Sequence, residues 1–496
     1  MRRPYFRNEV TQNVTRYSYP IKMFSGIDAE SKEDLLPLNY AVYGYNIAIR
    51  NGVLTSGIGI EEPNFDGSNF PTISINNKQI IKMYFYKHFD YQNKVKNDRI
   101  IALLHDNSVY QGSLSMPQLR PIEGMTFESR NVTFFNYYAD NTDYVIGVSD
   151  IGEMILYDGI DIINVTNCPN LSDACVHMGR IYGIVNESSR IYFSALLDPT
   201  NWNNGLTEGG YITMTDEGGM VKRIVSFKDS LYIFREYAIY KLTAYADQTE
   251  FALSKVYVGD SRIYDKTVVV CGDRIVFCAD DGFHSFDGYI CKKILRNIFP
   301  IISDNKSATA CYFNRKYYFA TKITTDENLV GDENYVGTYM ENNAIIICDM
   351  DLGEVSIFRG ADIKGFMPVS TINTNKLFVY FNNYARWGIV GVVTENGKMF
   401  EKTLLKKWVS PTTNFETLSK DKVLKRIYIS STSPLTLTAK LDTDVVNNIN
   451  ASCKAQMVPI NRRADKIGIV ITTNEDRFAV NGMLLEFDLI RRRIDE

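Results

Sequence analysis

The chain has 496 residues with a formal net charge of −4, and 45% of them are hydrophobic against 23% charged. This balance is ordinary for a folded soluble protein. The mild negative charge argues against a dedicated nucleic-acid binder, which needs clustered lysine and arginine. No stretch reaches the apolar length of a membrane span, so the sequence predicts no membrane-spanning segment.

The first 36 residues are polar and irregular, and the sequence predicts an extended N-terminal arm over 1–36. Such a segment can become ordered only when it binds a neighbour. Arg2, Arg3 and Arg7 are therefore candidate contacts with other subunits or partners.

A hairpin follows the arm, and its turn is the dipeptide Asn51-Gly52. Asn-Gly is a strong hairpin signal because a type I′ turn requires positive φ at both central positions. The sequence therefore predicts two short antiparallel strands around this turn.

A motif of two short apolar runs separated by turns then returns along residues 37–400. The equivalent points are Arg99, Tyr144, Arg180, Ser230, Arg274, Lys316 and Lys376. Their spacing is roughly 45 residues, the length of a four-stranded propeller blade. The sequence predicts an all-β protein in which 37–400 form a β-propeller of about seven blades.

Two insertions interrupt the repeat, near 194–210 and near 324–343. The first is rich in Gly and Asn and carries Asp198 and Trp202, whereas the second is acidic and contains Asn334. Long insertions in propellers map to loops on one face, where partners are usually met. These three residues are therefore candidate contacts with subunits or partners.

The pattern changes over 401–496, where apolar and polar residues alternate in several segments joined by connections rich in Asn, Thr and Ser. Alternation of this kind predicts a C-terminal antiparallel β-sandwich domain. Its last segment ends at Arg491, Arg492 and Arg493. These residues could meet phosphate, but a solvated edge that contacts another subunit is the preferred interpretation.

The acidic group Asp280, Asp281 and Asp287 comes nearest to a catalytic cluster, and paired carboxylates could serve a glycosidase or hold Ca²⁺. Asp-Gly is first a turn signal, however, and Asp158-Gly159 recurs at the position of Asp287-Gly288. The four histidines are scattered without metal-ligand spacing. The sequence therefore predicts no enzymatic activity, no catalytic or metal-binding residues and no cofactor.

Three segments together resemble a family. The hairpin with Asn46, Arg50 and Gly52 looks like the opening of phage tail-hub propellers, and the segment from Trp408 to Arg493 resembles their C-terminal β-domain. A loop similar to theirs is carried by Tyr192, Phe193, Ser194, Asp198, Pro199 and Trp202. The family is that of the packaged-DNA stabilisation and tail-nozzle proteins of short-tailed bacteriophages. The acidic insertion around Asn334 departs from its pattern.

This resemblance implies a structural virion protein of the tail hub, nozzle or plug. It implies a ring of identical subunits below the portal and adaptor, assembled in the host cytoplasm. The ring would enclose a channel through which double-stranded DNA passes without sequence-specific binding, and would retain the genome until infection. Two alternatives stay open: a receptor- or glycan-binding tail-tip protein, with Trp202 as a sugar platform, and a propeller glycoside hydrolase that uses Asp280, Asp281 or Asp287.

Overall fold

The computed structural model describes residues 15–65, 68–69, 78–91, 93–113, 119–245, 247–324, 340–382, 388–417, 420–442, 444–451 and 454–491. Within these ranges the chain is almost entirely β. The only helices there are 3-10 turns at Glu33–Leu35, Gln248–Glu250, Asp265–Thr267 and Arg296–Ile301. The chain forms two compact units: Ile60–Gly353 with Arg359–Thr394, and Met1–Gly59 with Glu354–Phe358 and Glu395–Glu496.

The first of these units is a β-propeller of seven blades, each an antiparallel sheet whose strands follow one another along the chain. The strands of blades 1 to 3 are Ile80–Tyr86, Arg99–Leu104, Ser108–Ser113 and Arg120–Thr126; Val132–Ala139, Thr142–Ser149, Met154–Tyr157 and Ile162–Val165; and Asp173–His177, Arg180–Ile184, Arg190–Phe193 and Gly210–Thr213.

Blades 4 and 5 comprise Val221–Phe227, Ser230–Arg235, Ala238–Thr243 and Ala252–Val258, then Val269–Cys271, Arg274–Ala279, Gly282–Phe286 and Cys291–Ile294. Blade 6 has Ile302–Phe313, Lys316–Ile323 and Ala344–Asp349 in this unit, and blade 7 has Asp362–Ser370, Asn375–Asn382 and Ile389–Thr394. Short hairpins pair Asn64–Phe65 with Ser68–Asn69 and Phe89–Asp90 with Val95–Lys96.

The repeat found in the sequence is confirmed strand by strand. Each of its seven equivalent points, from Arg99 to Lys376, lies in the second strand of its blade. This agreement has a simple cause. The second strand is buried on both faces, as in the fully buried run Ser230–Arg235, and therefore reads as a continuous apolar segment that is easily recognised.

The cores of the propeller lie between neighbouring blades. Blades 3 and 4, for example, share a cluster that includes Tyr182, Ile191, Leu231 and Ile233, all fully buried. The ring closes in the same way, because Phe85 of blade 1 packs in one cluster with Phe378 and other residues of blade 7. The strand Gly59–Glu61 comes before blade 1 in the chain and pairs beside the third strand of blade 7. The segment before blade 1 thus contributes a strand to blade 7, and this pairing helps to hold the ring closed.

The second unit is a β-sandwich of two antiparallel sheets. One contains Thr15–Ile21, Ile47–Arg50, Val53–Ser56, Val355–Arg359, Lys420–Ser431, Lys454–Ala464 and Ala479–Arg491; the other contains Tyr43–Tyr45, Lys406–Val409, Leu435–Leu441, Asp444–Ala451 and Ile467–Thr473. A further hairpin pairs Lys398–Met399 with Lys402–Thr403. Burial alternates along Leu435–Leu441, as expected for a strand with one face in the core. Trp408 is fully buried, and its ring centroid lies 5.3 Å from that of Phe24.

The Asn51-Gly52 turn is confirmed, with φ of 51° and 77° at its two residues. Two boundaries differ from those predicted. The hairpin around this turn belongs to the sandwich unit rather than to the propeller, and that unit begins again at Glu395. In addition, residues within the predicted arm form the strand Thr15–Ile21, which pairs with Ala479–Arg491. This strand packs through alternate residues. Ile21 is buried, and the ring of Tyr17 stacks on that of Phe487 with their centroids 6.1 Å apart.

Candidate functional site

One face of the propeller is formed by the loops that join the first to the second strand and the third to the fourth strand of each blade. We call it the hairpin face. Because strands alternate in direction, both kinds of loop lie at the same end of a blade. Contacts between blades show that the loops share one face: the Tyr137 hydroxyl donates to the Gly179 carbonyl at 3.0 Å, and Lys228 Nζ donates to the Asp287 carbonyl at 3.0 Å.

Two of these loops repeat the same turn and expose an apolar residue at its tip. In blade 2 the Asp158 carboxylate accepts the N–H of Ile160 at 2.8 Å, and in blade 5 the Asp287 carboxylate accepts the N–H of Tyr289 at 2.9 Å. The glycine between them has φ of 100° in blade 2 and 105° in blade 5. The bends hold Ile160 84% exposed and Tyr289 77% exposed. The turn interpretation of these Asp-Gly pairs is therefore confirmed.

The loop of blade 3 that was singled out in the sequence is the longest described loop of this face. Its two predicted contact residues lie here. Trp202 is buried, and its Nε1 donates to the Pro199 carbonyl at 2.9 Å. The Asp198 carboxylate accepts the N–H and the hydroxyl of Thr200 at 2.9 and 2.7 Å. Both side chains therefore make hydrogen bonds within the loop and help to fix its conformation.

Two side chains of the blades, Arg180 and Gln248, hold the backbone of the same loop by hydrogen bonds. Arg180 Nη1 donates to the carbonyls of Ser194 and Glu208 at 2.8 and 3.1 Å. From blade 4, Gln248 Nε2 donates to the carbonyls of Gly205 and Glu208 at 3.2 and 2.6 Å. With its backbone fixed in this way, the loop presents Leu196, Leu197 and Leu206 to solvent, and Leu206 is 76% exposed. A rigid loop with exposed leucines is suited to burial against another protein.

Exposed apolar side chains are concentrated on the hairpin face. Among the described residues its loops and adjoining strand ends expose Tyr91, Val95, Tyr138, Ile160, Met178, Leu196, Leu197, Leu206, Tyr245, Tyr289, Ile290, Leu352 and Ile372. The loops and adjoining strand ends at the opposite end of the blades expose Ile151, Met220, Tyr237 and Val258 within the same described part. Single exposed apolar residues are normal on any protein, whereas this asymmetry between two faces makes the hairpin face the candidate contact surface.

Of the remaining predicted contact residues, the structure describes Arg491. Arg491 is the last residue of the strand Ala479–Arg491 in the sandwich unit, where its backbone pairs with Lys420. Arg2, Arg3, Arg7, Asn334, Arg492 and Arg493 lie outside the described residues. Sequence reasoning missed the exposed apolar side chains of the hairpin face. Their signal is a large apolar residue directly after an Asp-Gly turn, as at Ile160 and Tyr289.

Asp280 and Asp281 lie in the turn between the second and third strands of blade 5, where both make structural contacts. Asp281 accepts a hydrogen bond from His284 Nε2 at 2.9 Å and pairs with Lys293 Nζ at 2.5 Å, while Asp280 accepts from the Tyr264 hydroxyl at 2.6 Å. Burial raises the pKa of Asp281, but the hydrogen bonds from Lys293 and His284 outweigh it and hold that pKa below its usual range. This carboxylate is therefore kept ionised as part of an ion-paired turn.

The described residues contain no group of three or more His, Cys, Asp or Glu side chains placed to hold a metal ion. No helix in the described part of the chain is long and apolar enough to cross a membrane.

No protein-family model matches the sequence, and no curated protein matches it. Among solved structures it is similar to PorZ, a surface component of the type-IX secretion system of Porphyromonas gingivalis, with 10% identity, a TM-score of 0.36, and coverage of 61% of this chain and 36% of PorZ.

It is also similar to Raptor of Chaetomium thermophilum, with 10% identity, a TM-score of 0.42, and coverage of 65% of this chain and 28% of Raptor. A third similar structure is YCF48 bound to a D1 peptide, with 11% identity, a TM-score of 0.38, and coverage of 64% of this chain and 93% of YCF48. The match thus spans about a third of PorZ and of Raptor. At these identities the similarity concerns the fold and says nothing of function.

Proposed function

We propose that this chain is a structural virion protein of a bacteriophage tail, a subunit of the hub, nozzle or plug ring. In this proposal identical subunits form a ring that contacts the portal, the adaptor and other tail proteins. The ring lines part of the DNA channel and retains the packaged genome. The proposal rests on the resemblance of the loop that runs from Tyr192 to Trp202, together with the exposed leucines that this same loop presents.

The apolar hairpin face is the structural observation that supports the subunit contacts in this proposal. A stable protein–protein interface buries about 800 Å² on each partner, with apolar residues at its centre. The side chains of Leu197, Leu206 and Tyr289 are mostly exposed on rigid turns, so burying them costs little conformational entropy. Identical copies that meet through two different surfaces close into a ring when the rotation between them allows it.

The charge of the chain is compatible with DNA that passes without being held. A net charge of −4 over 496 residues gives little general attraction for phosphate. The glycan-binding alternative requires Trp202 to act as a platform on which a sugar stacks. Stacking on a sugar needs an exposed ring face, whereas this indole is buried between blades 2 and 3. No observation therefore favours that alternative over the structural subunit.

The test is assembly of the purified full-length chain, followed by analytical ultracentrifugation and negative-stain electron microscopy, alone and with the portal-proximal proteins of the same phage. We expect rings or a defined co-complex. The double variant Leu197→Glu/Leu206→Glu is expected to remain monomeric with an unchanged melting temperature. The matched control is the double variant Ile151→Glu/Tyr237→Glu, which adds the same two negative charges on the opposite face and is expected to assemble.

Two results would overturn the proposal. One is a stable monomer that binds none of the other virion proteins. The other is assembly of the double leucine variant as complete as that of the unmodified chain.

A further inference from the structure

The end of the propeller opposite the hairpin face holds a cavity of about 610 Å³, near the beginnings of the innermost strands. A smaller cavity of about 180 Å³ lies beside it, and Lys82, Arg223 and Lys266 line both. Lys82 comes from blade 1, Arg223 from blade 4 and Lys266 from the 3-10 turn before blade 5. Side chains that are far apart in sequence thus meet around one space.

The lining of the two cavities is strongly basic. Its cationic residues are Lys82, Arg130, Lys222, Arg223, Arg262, Lys266, Lys306 and Lys364, whereas its acidic residues are Asp173, Asp265 and Glu341. The balance is five positive charges in a chain whose formal net charge is −4. A concave surface lined by one sign of charge focuses the field and concentrates ions of the opposite sign.

Several of these cations are not neutralised by the protein. Among the described residues, Arg262, Lys266 and Lys306 make no ion pair. Lys82 Nζ donates to the Val132 carbonyl at 2.7 Å and has no carboxylate partner in that part of the chain. Arg223 Nη1 pairs with Asp173 at 2.6 Å, but its buried Nε has no hydrogen-bond partner there. A buried donor without a partner destabilises the protein, and a bound acceptor would remove that cost.

The electrostatics of the inner wall agree with this geometry. Burial lowers the pKa of Lys82 to about 8, and repulsion from Arg223 acts in the same direction. Burial also raises the pKa of Asp173, which the Arg223 charge only partly offsets. Positive charges are therefore crowded together on the inner wall of the cavity, and an anion placed among them would relieve the repulsion.

We propose that this axial cavity is a binding site for a small multivalent anion of the phosphate class, up to the size of a nucleoside triphosphate. Lys82 and Arg223 are the inner donors, and Lys266 and Lys306 are the donors at the exposed rim. A volume of about 610 Å³ lies within the range of small-ligand pockets. The site belongs to the propeller itself and does not depend on assembly into a ring.

Isothermal titration calorimetry of the full chain with tripolyphosphate, ATP and a short DNA duplex tests the proposal. We expect tripolyphosphate and ATP to bind, and Lys82→Met and Lys266→Ala/Lys306→Ala each to weaken binding by about tenfold or more, since hydrogen bonds between charged groups contribute about 1.5–3 kcal/mol. Equal affinities would identify the phosphates alone as the recognised group, whereas tighter ATP binding would add a contact to the nucleoside.

The matched control is Lys292→Ala, which removes an exposed lysine from the outer strand of blade 5 and is expected to bind as the unmodified chain does. Lys82→Gln also removes the charge and serves as a second inner-wall variant if Lys82→Met does not fold. The proposal is overturned if neither small anion binds, or if the cavity variants bind them unchanged. It is also overturned if only the duplex binds and the cavity variants abolish that binding. None of these results bears on ring assembly.

Discussion

Arg223 in the first strand of blade 4 lies with its Nη1 2.6 Å from Oδ1 of Asp173 in the first strand of blade 3. The same carboxylate accepts the Ile224 N–H at 3.0 Å and the Thr133 hydroxyl of blade 2 at 3.2 Å. One buried carboxylate therefore joins three blades close to the axis. Hydrogen bonds of this kind fix the rotation of neighbouring blades, which apolar contacts alone do not specify.

Arg223→Met is expected to destabilise the propeller by about 3 kcal/mol at neutral pH, because it leaves the Asp173 carboxylate buried without its partner. Burial already raises the pKa of Asp173, and losing Arg223 raises it further. When a folded-state pKa lies above the unfolded one, the ionised group costs stability at high pH, and that cost decreases as the pH falls from the folded-state pKa towards the unfolded one.

The loss measured by urea unfolding should therefore be smaller at about pH 4.5 than at about pH 7. Lys222→Met is the matched control, since its ion pair with Glu236 lies partly exposed at 3.4 Å and contributes roughly 1 kcal/mol or less. A loss of stability that is equal at the two pH values would contradict this account of Asp173.

Anion affinity of the axial cavity should depend on the protonation of Lys82. The pKa of Lys82 is about 8, because burial and the charges of Arg223 and Lys266 lower it more than Asp173 and Asp265 raise it. Lys82 is protonated below that pKa, so affinity should be high there and fall as the pH rises through it. Sulfate is the suitable probe because its own charge stays constant across this range.

The control for this titration is Lys82→Arg. An arginine side chain keeps its charge at all accessible pH values, so the fall in sulfate affinity should disappear in the variant. Unchanged pH dependence in Lys82→Arg would assign the effect to another group.

Trp202→Ala should destabilise the propeller by about 3–5 kcal/mol, as expected for truncating a large buried side chain. Its indole packs with Leu171 and Ile181 in the cluster between blades 2 and 3. Trp202→Phe keeps most of this packing and loses the hydrogen bond to Pro199, so its cost should be nearer 1 kcal/mol. Thermal unfolding of the two variants measures the difference, and equal melting temperatures would show that the indole is not part of the core.

Gly288→Ala should cost more than Gly353→Ala. Both glycines have positive φ, 105° and 69°, which an L-residue adopts at a cost of about 1–2 kcal/mol. A Cβ at Gly288 would lie 2.8 Å from the Tyr232 hydroxyl, whereas a Cβ at Gly353 meets nothing within 4 Å. Urea midpoints measure the difference, and equal losses would show that neither the overlap with Tyr232 nor the larger φ of Gly288 adds to the cost.

Much of the propeller could be predicted because its strongest signal is local. The second strand of every blade is a short apolar run beside a turn, and Arg99, Arg180 and Arg274 mark its start at regular intervals. The turns at Asp158-Gly159 and Asp287-Gly288 can also be predicted, because they depend only on adjacent residues. By contrast, the strand Thr15–Ile21 is short and polar, so only its pairing with the last strand of the chain reveals it.

The candidate site was predicted less well, because exposure is a property of the folded surface. Trp202 has the composition of a contact residue, yet the loop turns its indole inward and leaves Leu197 and Leu206 outside. No local pattern distinguishes these two outcomes, since both kinds of side chain are apolar.

What the amino-acid sequence determined by itself is the repeating unit, its turns and the alternation of the sandwich strands, because hydrophobic periodicity and glycine conformation act over a few residues. What only the tertiary structure decided is the gathering of Lys82, Arg223 and Lys266 around one axis and the concentration of apolar side chains on one face. These residues are far apart in the chain, and closure of the ring alone sets their distances.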